Sequence, residues 1–155
     1  MSVAHETHLH LLVCIDRLNS AWRTLKAIEA DPGNPLRGAA FRYSLVEYST
    51  AFTRSDGPIK KRRSLPENVV PAEHLKLHKR VIAARHSVHA HADLMALEAD
   101  LHISYLKGAK YVSRIQNHIT GLEELDNLGE VVALVETVLE NLYVLHKSSE
   151  QRIAA

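Results

Sequence analysis

Arg85, His86, His89 and His91 lie together between Val81 and Asp93, in VIAARHSVHAHAD, a run whose other residues are mostly small or apolar. Where a helix would bury alanine, this stretch gathers a cation and proton-transferring groups. A guanidinium presents a fixed fork of donors that suits phosphate oxygens, and imidazole is the side chain whose ordinary pKa lies near neutrality. The set matches phosphodiester chemistry better than acyl or hydride transfer. Cleavage of RNA by attack of a 2′-hydroxyl on the adjacent phosphate needs a base, an acid and stabilisation of charge on the phosphate oxygens, and no metal has to supply them. Histidine near its ordinary pKa moves the protons, an effect of roughly 10²–10⁴-fold. A guanidinium beside the non-bridging oxygens supplies the electrostatic part.

Helical geometry limits how these groups can meet. At about 100° per residue, Arg85 and His89 stand about 40° apart around a helix axis, whereas His91 stands about 120° from Arg85. One straight helix cannot aim Arg85 and His91 at the same phosphate. Either the helix ends near His89 and His91 swings round, or two copies face each other and share a composite cleft.

The segment RHSVHAH resembles the arginine, polar residue, histidine motif of the HEPN superfamily (higher eukaryotes and prokaryotes nucleotide-binding domains). Arg85 matches the motif arginine, His86 the polar residue after it and His91 the motif histidine, with five residues between Arg85 and His91. The helical layout is similar over roughly the whole chain, while the motif covers only Arg85 to His91. The resemblance implies a metal-independent endoribonuclease acting as a homodimer whose two motifs meet at the interface. It assigns proton transfer to His91 and the phosphate to Arg85, with His86 orienting them. His89 is an extra histidine that the motif does not require, and it could share the acid–base role. By analogy the chain would be a toxin or defence component with a nucleotidyltransferase-type antitoxin as partner.

Two other readings stand beside this one. The first is a non-catalytic dimeric binding domain on the same scaffold, in which the arginine and histidines pair with Asp93 or Glu47 or support an interface. The second is a His-rich metal-binding bundle: His74 and His78, four residues apart, could hold zinc from one helix face, with His86, His89 and His102 as recruits. Catalytic zinc generally needs three protein ligands, and no third is fixed nearby, so no metal or cofactor is expected.

The elements that must position these residues read as helices. From Thr7 to about Ala30, Leu11, Ile15, Leu18, Trp22, Leu25 and Ile28 recur at three- and four-residue steps, the period of a helix with one buried face. The histidines His5, His8 and His10 at its start read as solvated terminal groups. Asp31-Pro32-Gly33-Asn34-Pro35 turns the chain, and Asn34 is placed to cap a second helix with Pro35 at its first position. That helix, Leu36 to about Thr53, carries Phe41, Leu45, Tyr48 and Phe52 on one stripe. Arg42 and Glu47 lie off the stripe and would support the site from behind if this helix borders it.

Residues 55–70, SDGPIKKRRSLPENVV, lose periodicity and read as a functional or mobile loop. Its tetrad Lys60, Lys61, Arg62 and Arg63 is the chain's dense basic cluster and the candidate contact for RNA backbone phosphates, unless it is simply a solvated charge run. Pro71 opens the third helix, with apolar positions at Leu75, Leu77, Val81, Ile82 and Val88 leading into the motif. Over residues 98–116 the period changes: Leu101, Ile103 and Tyr105 alternate with polar residues, Lys107-Gly108 signals a turn, and a β-hairpin follows. Thr120 with Glu123 forms a capping box for a last long helix that carries Leu125, Leu128, Val132, Val135, Leu139, Leu142 and Leu145 along one face. Its tail, residues 148–155, reads as frayed. The expected fold is thus mostly α: an up-down bundle of about four helices with a short β-hairpin insertion, in one domain spanning 1–155.

Composition agrees with a folded globular chain: 155 residues, 46% hydrophobic and 24% charged. The lone cysteine, Cys14, sits among apolar neighbours and reads as a small buried hydrophobe in a reducing cytoplasm. The start, MSVAHETHLH, lacks the features of a signal peptide, and no apolar run approaches membrane-spanning length, so neither export nor membrane insertion is expected. A net charge of +1 with histidines neutral gives no global basic field. Any RNA contact must be local.

Overall fold

The first helix is the axis of the molecule. In the computed structural model, which describes residues 2–59, 62–85, 99–116 and 121–154, this helix, α1, spans Val3–Ala30. Its apolar stripe is buried as the period requires, with Leu11, Ile15, Leu18, Leu25 and Ile28 in the core. Trp22 packs against the edge of that core and donates its indole N–H to Glu136 at 2.8 Å.

Helix α1 starts four residues earlier than the stripe implied, because Ser2 caps it: the Ser2 hydroxyl accepts the His5 N–H at 3.2 Å. The leading histidines therefore belong to a formed helix. His8 shares a hydrogen bond of 3.0 Å with Ser149, and its ring packs on His146.

Helix α2, Arg37–Phe52, lies antiparallel to α1. Cys14 lies against Ala51, Arg17 against Glu47 and Ser20 against Tyr43, so rising numbers on one helix meet falling numbers on the other. Asn34 does not cap α2 as expected. It closes the turn instead, its side-chain oxygen accepting the Leu36 N–H at 2.9 Å and its carbonyl accepting that of Arg37 at 3.0 Å. Phe41, Leu45 and Tyr48 are buried, and Phe52 packs beside them.

The segment expected as a loop is built into the body. A short antiparallel ladder pairs β1 (Ser55–Asp56) with β2 (Arg62–Arg63), and a 3-10 turn covers Glu67–Val69. Leu65, Val69 and Val70 enter the core, and the Val69 carbonyl accepts a bond from the Asn141 side chain at 2.9 Å. These side chains are apolar despite the missing period, and burial follows from that. After Pro71 a 3-10 turn, Ala72–His74, precedes helix α3, Leu75–Ala84.

Strands β3 (Ala99–Leu106) and β4 (Ala109–Gln116) form the expected hairpin. Lys107 and Gly108 both have positive φ, at 50° and 79°, as a tight type I′ turn demands.

Helix α4, Leu128–Ala154, packs antiparallel to α1 on the side away from α2, with 22 beside 136, 19 beside 143 and 8 beside 149. It begins later than the capping-box reading placed it. Thr120 lies outside the described residues, and Glu123 accepts the Gly121 N–H within a series of turns that ends at Asn127. The buried face is broader than the stripe, with Val131, Leu134 and Val138 added, but Leu145 is 40% exposed. Past Leu142 the packing line passes to His146 and Ser149, which face His8. The helix runs to Ala154 where fraying was expected. The fold is mostly α with a short hairpin.

Candidate functional site

Helix α3 carries the motif arginine. Its amphipathic pattern seats Leu77, His78 and Val81 in the core. Arg85 is the C-cap, still helical at φ −60° and ψ −46°, with its N–H bonded to the carbonyls of Val81 and Ile82. The arginine is half-buried and its backbone is tied to an anchored helix. His86, His89 and His91 lie outside the described residues, as do Lys60 and Lys61.

His78 is committed to the core. Its Nδ1 shares a 2.8 Å hydrogen bond with the buried Tyr48 hydroxyl, and its ring meets Phe52 edge-on. Burial lowers its pKa, with Lys79 adding to that and Glu67 opposing it. The imidazole is therefore neutral, and burial likewise raises the Tyr48 phenol. With Tyr48 as donor, Nδ1 accepts and the proton sits on Nε2. His74 is half-buried on the preceding turn. Among the described residues no three His, Cys, Asp or Glu side chains gather as a metal-binding group.

Of the two supporting residues on α2, Glu47 faces α1. Glu47 accepts the Arg17 guanidinium at 3.2 and 3.4 Å. Arg42 lies on the exposed side of α2.

The basic segment divides. Arg62 is exposed and stands 3.7 Å from Asp56. Arg63 turns inward: it donates to Glu6 at 2.8 Å and to Thr7 at 2.6 Å. The second Glu6 oxygen accepts the Ile59 N–H at 3.1 Å. Glu6 is 3% exposed, so the carboxylate meets the guanidinium inside the fold, where Arg63 Nε is buried without a hydrogen bond among the described residues. Gly57 makes room for this, since a Cβ there would lie 1.8 Å from a Glu6 oxygen. Arg63, expected on an RNA phosphate, is thus engaged by a buried carboxylate.

A cavity of about 260 Å³ opens beside this pair, lined by Leu9, His10, Val13 and Pro58 among others. Burial lowers the His10 pKa and the Arg63 charge lowers it further. Cys14, 3.7 Å from the same imidazole, is held as a thiol by burial that pushes it up to about 11, against the opposing pull of Arg17. That value makes it unreactive near neutral pH, as a buried hydrophobe should be.

Sequence reasoning missed Glu6. An acidic residue in a first helical turn reads as a partner for the helix dipole. The available signal was Asp56-Gly57-Pro58, a turn small enough for a side chain to approach its backbone.

Compared with family models, curated proteins and solved structures, the chain matches none of them. Among the described residues no helix is long and apolar enough to cross a membrane.

Proposed function

We propose that this protein is a metal-independent endoribonuclease of HEPN type, acting as a homodimer in the cytoplasm as a toxin or defence component. The observation that supports it is the placement of Arg85 at the end of a helix seated in the core, directly before the histidine cluster. Such seating fixes the backbone that carries the cation, which limits reorganisation during the reaction, the condition under which electrostatic stabilisation is strongest.

In this reading the 2′-oxygen attacks phosphorus as an imidazole takes its proton. The bond from phosphorus to the 5′-oxygen breaks, and a second imidazole returns a proton to that oxygen. The products are a 2′,3′-cyclic phosphate and a 5′-hydroxyl. Arg85 holds the non-bridging oxygens, His91 moves protons with His89 sharing that work, and His86 orients them. Two protomers contribute, since one straight helix separates Arg85 from His91 by about 120°. The commitment of His78 to Tyr48 favours this route over one through a His74–His78 metal site. A nucleotidyltransferase-type partner would neutralise the activity.

The test is cleavage of single-stranded RNA by purified protein in excess chelator. Wild type should leave 2′,3′-cyclic phosphate ends, and Arg85→Ala and His91→Ala should each lower the rate at least a hundredfold. Equal cleavage by wild type and both variants would overturn the proposal, since it would mark a contaminant. A stable homodimer with no cleavage would leave a non-catalytic binding domain in its place. Zinc retained through dialysis and lost in His74→Ala with His78→Ala would favour the metal reading.

A further inference from the structure

The hairpin carries a surface that the site around Arg85 does not use. Its register sets Leu101, Ile103 and Tyr105 of β3 opposite Arg114, Val112 and Lys110 of β4. The two-residue side-chain period puts all six on one face. Each of them is exposed, Tyr105 by 73%. Tyr111 is exposed on the other face, opposite Ser104. The ribbon therefore presents an aromatic ring on each side instead of burying its faces against the helices.

Charge gives the second observation. Lys107, Lys110 and Arg114 share the ribbon with a single carboxylate, Asp100, for a local charge of +2 in a chain of +1 overall. Among the described residues none of these three cations takes part in an ion pair. A second copy of the same ribbon laid on this face would bring Lys110 and Arg114 against like charges. A polyanion with flat apolar groups complements it on both counts.

We infer that the β3–β4 ribbon is an arm that binds unpaired RNA, with a base stacked on Tyr105, Ile103 and Val112 as the apolar floor, and Lys107, Lys110 and Arg114 on the phosphates. Only unstacked bases offer a free π-face, so the arm selects single strands over duplex. The inference rests on the reading of the chain as acting on RNA, and names the surface and the class of strand.

The experiment uses the full chain and a fluorescent 2′-O-methyl oligonucleotide of about 20 residues, single-stranded or annealed to its complement. Capping the 2′-oxygen removes the nucleophile, so anisotropy reads binding with no contribution from cleavage. The single strand should bind the more tightly, and Tyr105→Ser should weaken it about tenfold, with Tyr105→Phe restoring most of the loss. Replacing Lys107, Lys110 and Arg114 together by Gln should lower the slope of log K against log salt by about 2. Arg85→Ala should lower cleavage of unmodified RNA at least a hundredfold while weakening oligonucleotide binding less than Tyr105→Ser does, since it removes one phosphate contact and leaves the ribbon intact. Far-UV circular dichroism should be the same for all, because every hairpin change is at an exposed side chain.

Unchanged binding in Tyr105→Ser and in the triple Gln variant, or equal affinity for duplex, would overturn the arm. So would a homodimer that dissociates on Leu101→Ser with Ile103→Ser while oligonucleotide binding is untouched, since the ribbon would then be a protein interface. Binding lost with Tyr105 in a protein that never cleaves RNA would sustain the arm and remove the nuclease reading alone.

Discussion

Two small antiparallel ladders in this chain carry arginine or lysine, and their cations have opposite surroundings. In the β1–β2 ladder Arg63 is drawn onto Glu6, a carboxylate almost without contact with water. In the β3–β4 ladder Lys107, Lys110 and Arg114 stand in solvent with no facing carboxylate among the described residues. The first ladder is pinned to the opening turns of α1, where Gly57 lets Glu6 approach the backbone. The second projects its faces outward. A run of basic residues thus counts for binding only where the fold leaves it without an internal partner, and the densest run, around Arg62 and Arg63, is the one partly consumed by the fold.

The largest effect should come from breaking the internal pair. Arg63→Ala takes the guanidinium away from the buried Glu6 carboxylate, and removal of one member of a buried pair costs roughly 3–5 kcal/mol. Urea unfolding should show this as a large drop in midpoint at unchanged slope. The matched change in the other ladder, Arg114→Ala, should stay within about 0.5 kcal/mol of wild type. Similar losses for the two arginines would erase the contrast between the ladders.

The Tyr48–His78 pair should sharpen it, as a buried polar contact without formal charge. Tyr48→Phe removes the partner of a buried ring nitrogen, which costs about 1–3 kcal/mol. The pair also sets a pH dependence. The unfolded chain protonates this histidine near its ordinary value of 6.5, whereas burial keeps the folded one neutral below that. Unfolding then takes up a proton, so stability is full above about pH 6.5 and is lost as the pH falls toward the lowered folded value. His78→Gln should flatten the fall in urea midpoint as the pH drops below about 6.5; an unchanged slope would show that this ring does not drive it.

What was legible in the sequence follows the range of the interaction concerned. The stripe from Leu11 to Ile28 and the run from Phe41 to Phe52 are periodic within themselves, so each helix and its buried face could be read locally. The hairpin was legible for the same reason, through alternation around Lys107-Gly108. Glu6 with Arg63 was not, because its partners are 57 residues apart and meet only once the chain returns past Gly57. The bond of His78 to Tyr48 was hidden in the same way: it is set by the packing of α3 on α2, whereas local spacing shows only that His74 and His78 lie one helical turn apart. The motif histidines His86, His89 and His91 lie outside the described residues, and of that cluster the fold places Arg85 alone.

The smallest effect belongs to an arginine between these extremes. Arg80 on α3 reaches Glu124, with one of its two bonds at 3.1 Å, and the hydrogen bond from Arg80 is the chief reason the carboxyl sits below its ordinary range. The guanidinium side chain is 55% exposed although the carboxylate is nearly covered. Removing so exposed a side chain opens the carboxylate to water, and Glu124 keeps a 3.0 Å bond from the Asn127 side chain. Arg80→Ala should cost only about 0.5 kcal/mol, less at high salt. Because the carboxylate is held down in the fold, its stabilising contribution is present above the unfolded value near 4.5 and is lost as the pH falls through the lowered folded one, and Arg80→Ala should shrink that acid-limb loss. A penalty as large as that of Arg63→Ala would mean that exposure of the cation does not govern the cost, and the distinction drawn between the two ladders would lose its physical basis.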